Sequence, residues 1–306
     1  MGTTMSFLEQ SASERFTAAL LGLEASQPAV RCMRWMLGPA LYYEWAQSIG
    51  VATHSQLRDA SSPIPPLALR SIVAAAEEEV FLWSGAKDIS IFMSLFYDHW
   101  QRRIDAPARV FDFGCGCGRM SRFLDGARNV VAFASEVNPA HVAWCATNLA
   151  GVTTKLNGTA PPLQFDDGAF DFGYSLSIFS HLDAPAAGAW LEDLARVLAP
   201  GGILILTTHG YPALAIIKDS DVHQGMFRKS RDEIARMEAD LETDRYIFVP
   251  YDQDILAVAK AGSSYGNTFM HQSYAKAHWN SHGLTVLKYL PGGVRGWQDI
   301  FVLRKD

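Results

Sequence analysis

Three alternate glycines, Gly114, Gly116 and Gly118, constrain the fold of this chain more than any other feature. A short apolar run, 110–113, stops at the first of them and a helical pattern follows the last, which predicts a strand, a tight turn and a helix. Glycine reaches positive φ without steric cost, and because it has no Cβ a ligand can lie directly against the backbone. The amides at the start of a helix favour negative groups. The stretch therefore predicts a ligand-binding turn.

The spacing of the turn separates two kinds of ligand. The dinucleotide fingerprint requires its third glycine at position 119, where this chain has Arg119. The run Asp112-x-Gly114-x-Gly116-x-Gly118 instead resembles the first motif of class I S-adenosylmethionine-dependent methyltransferases. In that family the turn holds the methionine and ribose end of the cofactor. A nicotinamide oxidoreductase is therefore the less favoured interpretation.

Composition limits the partners and the compartment. The 306 residues carry a net charge of −6 with no Lys/Arg stripe, which argues against a nucleic-acid surface. No apolar run reaches the roughly 18 residues of a membrane span, and the first residues lack the pattern of a signal peptide. Cys115 and Cys117 are too close for an ordinary disulfide and lack a second pair of zinc ligands. We expect a cytoplasmic protein without a metal or a membrane partner.

Strands and helices alternate from residue 109 onward, which predicts βαβ units and a parallel sheet. The expected fold class is α/β, with a Rossmann-like, doubly wound, mostly parallel seven-stranded sheet. The predicted strands are 110–113, 130–134, 152–156, 170–175, 203–208, 285–289 and 299–303. The predicted helices of this part are 118–126, 138–149, 190–198, 231–241 and 273–281, and a turn is predicted at 291–293.

Two segments lie outside this alternation. Residues 1–105 have helical patterns throughout and are predicted to form an N-terminal helical cap, followed by a core at 106–306. Residues 210–270, after the fifth strand, are predicted to be a lid insertion of the core. Four aromatic residues of the cap are explained either by a substrate pocket or by packing in the core or in a homodimer. They are Trp35, Tyr42, Tyr43 and Trp45.

Three further motifs extend the family resemblance. Glu136 ends the second strand 24 residues past Asp112, where a carboxylate can accept both hydroxyls of a ribose. The stretch 161–175 resembles the acidic turn and fourth strand of the family, and 196–205 resembles its helix, Pro-Gly-Gly turn and fifth strand. The resemblance covers roughly 108–209 and, less specifically, the last strands.

The resemblance implies a role for individual residues in binding S-adenosyl-L-methionine. Asp112 and the turn amides hold its amino-acid portion, and Arg119 meets its carboxylate. Glu136 takes the ribose hydroxyls while Val137 packs against the adenine. Asn157 stands where the family usually has an acidic partner for the adenine amino group, and its amide oxygen can still accept that hydrogen bond. The implied set is Asp112, Gly114, Cys115, Gly116, Gly118, Arg119, Glu136, Val137, Asn138, Asn157 and Ser175.

Three residues are candidates for catalysis, because methyl transfer needs in-line placement of a nucleophile and sometimes a base. Tyr174 ends the fourth strand near the expected sulfonium, although strand packing explains it equally well. His181 and His209 each follow a core strand at the ligand edge, and either can be a base at neutral pH or a structural histidine. A helix near the end carries three more histidines without carboxylate or thiolate partners, so no metal site is predicted there. These are His271, His278 and His282.

The favoured function is methyl transfer from S-adenosylmethionine to an oxygen or nitrogen of a small molecule. A second hypothesis keeps the cofactor but transfers another of its carbons, as a cyclase or aminocarboxypropyl transferase that releases methylthioadenosine. Asn138 and Tyr174 would then position the amino-acid portion. A third hypothesis is a catalytically silent cofactor-binding subunit, which the intact glycine turn and Glu136 disfavour.

Overall fold

A computed structural model describes residues 63–73, 75–100, 107–125, 127, 130–253, 256 and 262–306. Residues 1–62, 74 and 101–105 of the predicted N-terminal helical cap lie outside the described residues, and they include Trp35, Tyr42, Tyr43 and Trp45. No helix in the described part of the chain is long and apolar enough to cross a membrane.

The chain divides into two compact units, each continuous in space rather than in sequence. One unit runs to Ala134 and includes Pro139–Thr154, and the other comprises Ser135–Asn138 and Lys155–Asp306. The described elements whose residues lie wholly or mainly in the first unit are α1 (Leu67–Arg70), a 3₁₀ turn (Ser71–Val73), α2 (Glu78–His99), β1 (Ala108–Phe113), a 3₁₀ turn (Ser121–Phe123), β2 (Val130–Glu136), α3 (Pro139–Asn148) and β3 (Val152–Leu156).

The second unit contains the remaining strands and the insertion. Its core elements are β4 (Phe170–Ser175), α4 (Ala184–Val197), β5 (Leu198–Thr208), α8 (Gln272–His278), a 3₁₀ turn (Trp279–His282), β8 (Leu284–Val294) and β9 (Gln298–Lys305). Its insertion elements are α5 (Tyr211–Lys218), α6 (Asp221–Phe227), α7 (Arg231–Asp244), β6 (Tyr246–Pro250) and β7 (Gly266–Met270).

Seven of the strands belong to one sheet, which confirms the predicted α/β fold class. In the first unit the strand order is β3-β2-β1, and in the second it is β4-β5-β9-β8. Strands β4 and β5 are parallel, whereas β9 runs antiparallel to both β5 and β8. The side chains of 203–206 are fully buried, as expected for a strand covered on both faces.

The prediction of a helix at 118–126 is wrong. The chain forms only the short 3₁₀ turn at Ser121–Phe123, closed by i→i+3 bonds such as Leu124 N to Ser121 O at 2.9 Å. Two local features oppose an α-helix here. Gly118 is in the left-handed region at φ 78°, and the Ser121 hydroxyl donates to the Asp112 carboxylate at 2.5 Å.

The turn predicted at 291–293 is also misplaced. These residues lie inside β8, where the pairing with β9 shifts register between Leu290 and Val294. The chain reverses instead at 295–297, with Arg295 at φ 53° and Gly296 at φ 77°. Two successive positive φ values match the twist of flanking antiparallel strands, so this site closes the hairpin better than the Pro-Gly-Gly run.

The insertion after β5 has an apolar core of its own. Its buried members are Ala213, Leu214, Ile217, Ile234, Leu241 and Phe269. The predicted capping box of α7 is confirmed, since Ser230 and Glu233 bond reciprocally to each other's backbone amides. Strands β6 and β7 form a separate two-stranded antiparallel sheet that we did not predict. The function of the insertion as a lid stays a prediction.

Candidate active site

The glycine turn that follows β1 adopts the backbone that its sequence predicts. The φ angles of Gly114, Gly116 and Gly118 are 78°, 55° and 78°, a region that side-chain-bearing residues rarely enter. The amide of Gly118 donates to the carbonyl of Cys115 at 3.1 Å and closes the turn.

Close packing is the second reason for glycine in this turn. A Cβ built on Gly116 would lie 2.5 Å from Cγ1 of Val73, and one on Gly118 would lie 2.5 Å from Cδ1 of Leu149 and 3.2 Å from Sγ of Cys145. Cys115, Cys117 and Cys145 are buried free thiols. The turn is therefore held from outside by apolar side chains.

Gly118→Ala is expected to destabilise the protein by about 2–4 kcal/mol, because it adds left-handed strain to an overpacked contact with Leu149. The free energy of unfolding, measured in urea, checks this. Gly188→Ala is the matched control, since a Cβ there has no neighbour within 4 Å and the site lies inside α4. The control is expected to be neutral or stabilising. Equal stability of the two variants would contradict the packing argument.

Arg119, the residue next to the turn, forms an ion pair with α2. Its Nη1 lies 2.8 Å from Oδ2 of Asp88 and 3.0 Å from Oγ of Ser84. The carboxylate of Asp88 is fully buried, so the guanidinium compensates a charge inside the first unit. Sequence reasoning did not anticipate this contact. A role of Arg119 toward a cofactor carboxylate stays a prediction.

The carboxylate of Glu136 is fixed at the end of β2 by its own backbone neighbourhood. Its Oε1 accepts from the amide of Asn138 at 2.9 Å, and its main-chain carbonyl accepts from the amide of Asn157 at 3.1 Å. Both side chains are buried at the strand end, with exposures of 8% for Glu136 and 6% for Asn138. The local fold thus holds the carboxylate in one orientation.

The side-chain amide oxygen of Asn157 is a hydrogen-bond acceptor without a partner among the described residues. The Nδ2 atom of the same side chain donates to the carbonyl of Gly158 at 2.7 Å, while this oxygen, Oδ1, is buried. A buried acceptor without a partner is costly unless a ligand satisfies it. Val137, the residue after Glu136, is half-buried, and Tyr174 and Ser175 at the end of β4 are fully buried.

His181 is held through one ring nitrogen. Its Nδ1 lies 2.9 Å from the carbonyl oxygen of Gly266 and 2.9 Å from the hydroxyl of Tyr251. Because a carbonyl only accepts, Nδ1 carries the proton and Nε2 keeps its lone pair. No described residue hydrogen-bonds Nε2. Burial lowers the pKa of His181 below its ordinary 6.5, and the bond to Gly266 partly opposes that shift.

His209 packs against the ring of His181, but its Nε2 already accepts a hydrogen bond. The two imidazole centroids are 5.9 Å apart, and Nε1 of Trp297 donates to Nε2 of His209 at 3.2 Å. Burial, followed by the charge of a protonated His181, lowers the pKa of His209 to about 3, and the backbone carbonyl of Thr268 acts in the opposite direction. His209 is therefore neutral at physiological pH, and its buried Nδ1 has no hydrogen-bond partner among the described residues.

A family model described as a methyltransferase domain matches residues 110–202. The matched segment contains the glycine turn, Glu136 and His181. The resemblance stated from the sequence is confirmed at the level of this domain.

Curated relatives of the methyltransferase domain match over a similar length. The chain is 31% identical over 107 residues to a probable chloroplastic tocopherol O-methyltransferase of Oryza sativa subsp. japonica, which covers 33% of this chain and 29% of that protein. It is 37% identical over 102 residues to a 2-methyl-6-phytyl-1,4-hydroquinone methyltransferase of Synechocystis sp., covering 32% and 30%. The chain thus spans about 30% of the length of these relatives.

Among solved structures, the chain is similar to a methyltransferase with bound ligands. The 1,6-didemethyltoxoflavin-N1-methyltransferase of Burkholderia thailandensis, solved with 1,6-didemethyltoxoflavin and S-adenosylhomocysteine bound, has a TM-score of 0.47 and 13% identity. The match covers 79% of this chain and 92% of that chain.

Several residues around the two histidines lie beyond the methyltransferase domain and were missed from the sequence. His181 stacks on Tyr265 at 5.3 Å between ring centroids, and Tyr251 lies at 5.8 Å. Both tyrosines lie in the insertion and belong to no motif that the sequence analysis singled out. Asn267 and Trp297 had no sequence signal, because nothing local in the chain relates them to residues about 90 positions away.

Two of the three late histidines, His271 and His278, have ordinary local contacts. Nδ1 of His271 lies 2.7 Å from Oγ of Ser273 and 3.1 Å from Nη1 of Arg245, and the His278 ring stacks on Tyr274 at 4.0 Å. Among the described residues, no group of three or more His, Cys, Asp or Glu side chains is arranged to hold a metal ion.

Proposed function

We propose that this protein transfers a methyl group from S-adenosyl-L-methionine to a small-molecule acceptor, with His181 as the base. The observation that carries the proposal is the methyltransferase-domain match over residues 110–202, on a chain whose three turn glycines all have positive φ. The histidine with the available Nε2 lies in the same segment.

Three features of the chain, each taken by itself, support the proposal that it binds the cofactor. The glycine turn offers backbone with no Cβ, Glu136 offers a fixed carboxylate for ribose hydroxyls, and Oδ1 of Asn157 is a buried acceptor suited to an amino group. Asp112, Arg119, Val137, Asn138 and Ser175 keep the roles that the family resemblance implies. When bound, the cofactor supplies a methyl group activated by a sulfonium.

His181 is the better base of the two candidate histidines. Its Nδ1 holds the ring proton, so Nε2 can accept the proton that an acceptor O–H or N–H loses as its lone pair takes the methyl group. His209 has a pKa of about 3 and uses Nε2 to accept from Trp297. Tyr174 is fully buried in β4 and is proposed to border the site rather than to move a proton.

Oxygen is the proposed acceptor atom, because the rice relative is described as an O-methyltransferase. The insertion with its own apolar core is proposed to enclose the acceptor, which favours a small molecule over a macromolecule. We propose a cytoplasmic location, which the buried free thiols of the described cysteines support. A homodimer is compatible with these proposals.

Product analysis tests the proposal. The full-length protein is incubated with the cofactor, with and without a panel of phenolic, alcoholic and amine acceptors, and nucleoside products are identified by mass spectrometry. S-adenosylhomocysteine that appears only with an acceptor is the expected result. Methylthioadenosine without an acceptor would replace methyl transfer by cyclisation or aminocarboxypropyl transfer. Cofactor binding without any product would favour a silent subunit.

A further inference from the structure

We infer that Tyr251 and Asn267 are positioning residues for His181, fixing the tautomer that leaves its Nε2 free to take a proton. The inference rests on the proposed function and extends it to residues outside the methyltransferase domain. Neither residue needs to touch the acceptor or the cofactor for this role.

The hydrogen-bond partners of Tyr251 determine which atom donates in its contact with His181. The Tyr251 hydroxyl donates to Oδ1 of Asn267 at 3.0 Å, so its single proton is used there. The oxygen of Tyr251, 2.9 Å from Nδ1 of His181, therefore accepts from the ring. The Gly266 carbonyl, 2.9 Å from the same nitrogen, is a second acceptor. Both contacts require the proton on Nδ1.

The backbone of the insertion delivers both positioning residues to His181. Strand β7 carries Asn267, and on either side of it the amides of Gly266 and Thr268 donate to the carbonyls of His181 and Ser180, each at 2.8 Å. The amide of Tyr251, one residue after β6, donates to the carbonyl of Tyr265 at 3.2 Å. The strand pair thus holds the histidine loop and the hydrogen-bonding side chains together.

The other titratable groups that face His181 are uncharged near neutral pH. Burial raises the pKa of Tyr251 to about 12 and raises that of Tyr265 further, the latter with the help of the charge on Glu136. His209 is neutral below pH 7 down to about 3. The protonation of His181 therefore depends on its burial and on the acceptors at Nδ1.

Three substitutions, two of them with opposite expected effects, test the inference. Tyr251→Phe removes a hydrogen-bond acceptor that binds the protonated imidazole of His181 more strongly than the neutral one, so the acid limb of kcat should move to lower pH. Because the tautomer is then held less firmly, kcat itself should fall about tenfold. Asn267→Asp places a negative charge behind the Tyr251 hydroxyl, so the acid limb should move to higher pH. Asn267→Ala should resemble Tyr251→Phe. The cofactor Kd should stay unchanged in all three.

Tyr246→Phe is the matched control. The Tyr246 hydroxyl donates to the carbonyl of Leu182 at 2.7 Å, in the same strand pair but without contact to the imidazole. Its loss should leave the pH profile unchanged. If Tyr251 had only a structural role, Tyr251→Phe would lower the melting temperature, as Tyr246→Phe does, and would leave the acid limb of kcat where it is in the wild type. That result would overturn the inference.

Nitrogen-15 NMR of the histidines gives a readout that does not require turnover. The resting protein should show His181 as the Nδ1–H tautomer, and Tyr251→Phe should raise the share of the other tautomer. An Nε2–H tautomer in the wild type would overturn the inference, even if methyl transfer is observed. Absence of S-adenosylhomocysteine with the expected tautomer present would instead overturn the proposed function.

Discussion

Replacing His181 with alanine should lower kcat for methyl transfer by roughly 100-fold or more, the usual contribution of a general base. The expected cause is the loss of Nε2, the one ring nitrogen of His181 that no described residue hydrogen-bonds. The Kd for S-adenosylhomocysteine, measured by calorimetry, should stay within about twofold, because the cofactor residues proposed above do not include His181.

His181→Asn refines this experiment, because an asparagine amide can donate to the Gly266 carbonyl as Nδ1 does but offers no base. It should be as slow as His181→Ala while melting closer to the wild type. His278→Ala, a change at an exposed histidine, is the control and should keep full activity. Full activity of His181→Asn would show that no proton is taken at this position.

The pH dependence of the wild-type rate tests the assignment of His181 as the base. A base must be neutral to act, and burial lowers the pKa of His181 below 6.5, so the neutral, active form predominates at pH 7. The rate should fall only as pH drops through that lowered pKa. An acid limb above 6.5 would contradict the assignment of His181.

Glu136→Ala should weaken cofactor binding by about 100-fold or more. Each hydrogen bond from a ribose hydroxyl to a carboxylate contributes about 1.5–3 kcal/mol, and Glu136 is proposed to accept two. The substitution also removes the acceptor for the Asn138 amide at 2.9 Å, which fixes the strand end. Calorimetric titration with S-adenosylhomocysteine measures the loss of affinity.

Glu136→Gln separates charge from shape at this position. The amide oxygen can still accept from Asn138, so this variant should fold normally and bind the cofactor with an affinity between those of wild type and Glu136→Ala. Glu192→Ala removes one exposed carboxylate of α4 and should leave the Kd unchanged. An unchanged Kd in Glu136→Ala would remove the ribose role from this carboxylate.

Local sequence rules determined most of the methyltransferase domain. Strands β3 and β4 have the predicted bounds, because each is a short apolar or alternating run between turn residues. The three turn glycines have the predicted positive φ, since no other residue tolerates that backbone so well. The capping box of α7 was equally readable, because its two residues are only three positions apart.

Contacts between distant residues were decided by the tertiary structure alone. The Arg119–Asp88 ion pair, the bond from Trp297 to His209, and the position of Tyr251 against His181 join residues 31 to 88 positions apart. Neither the helical nor the strand repeat carries information over such separations. His181 and His209 could be chosen as candidates from the sequence, because each follows a predicted core strand. Their tautomers and pKa values depend on burial and on hydrogen-bond partners that only the folded chain brings to them.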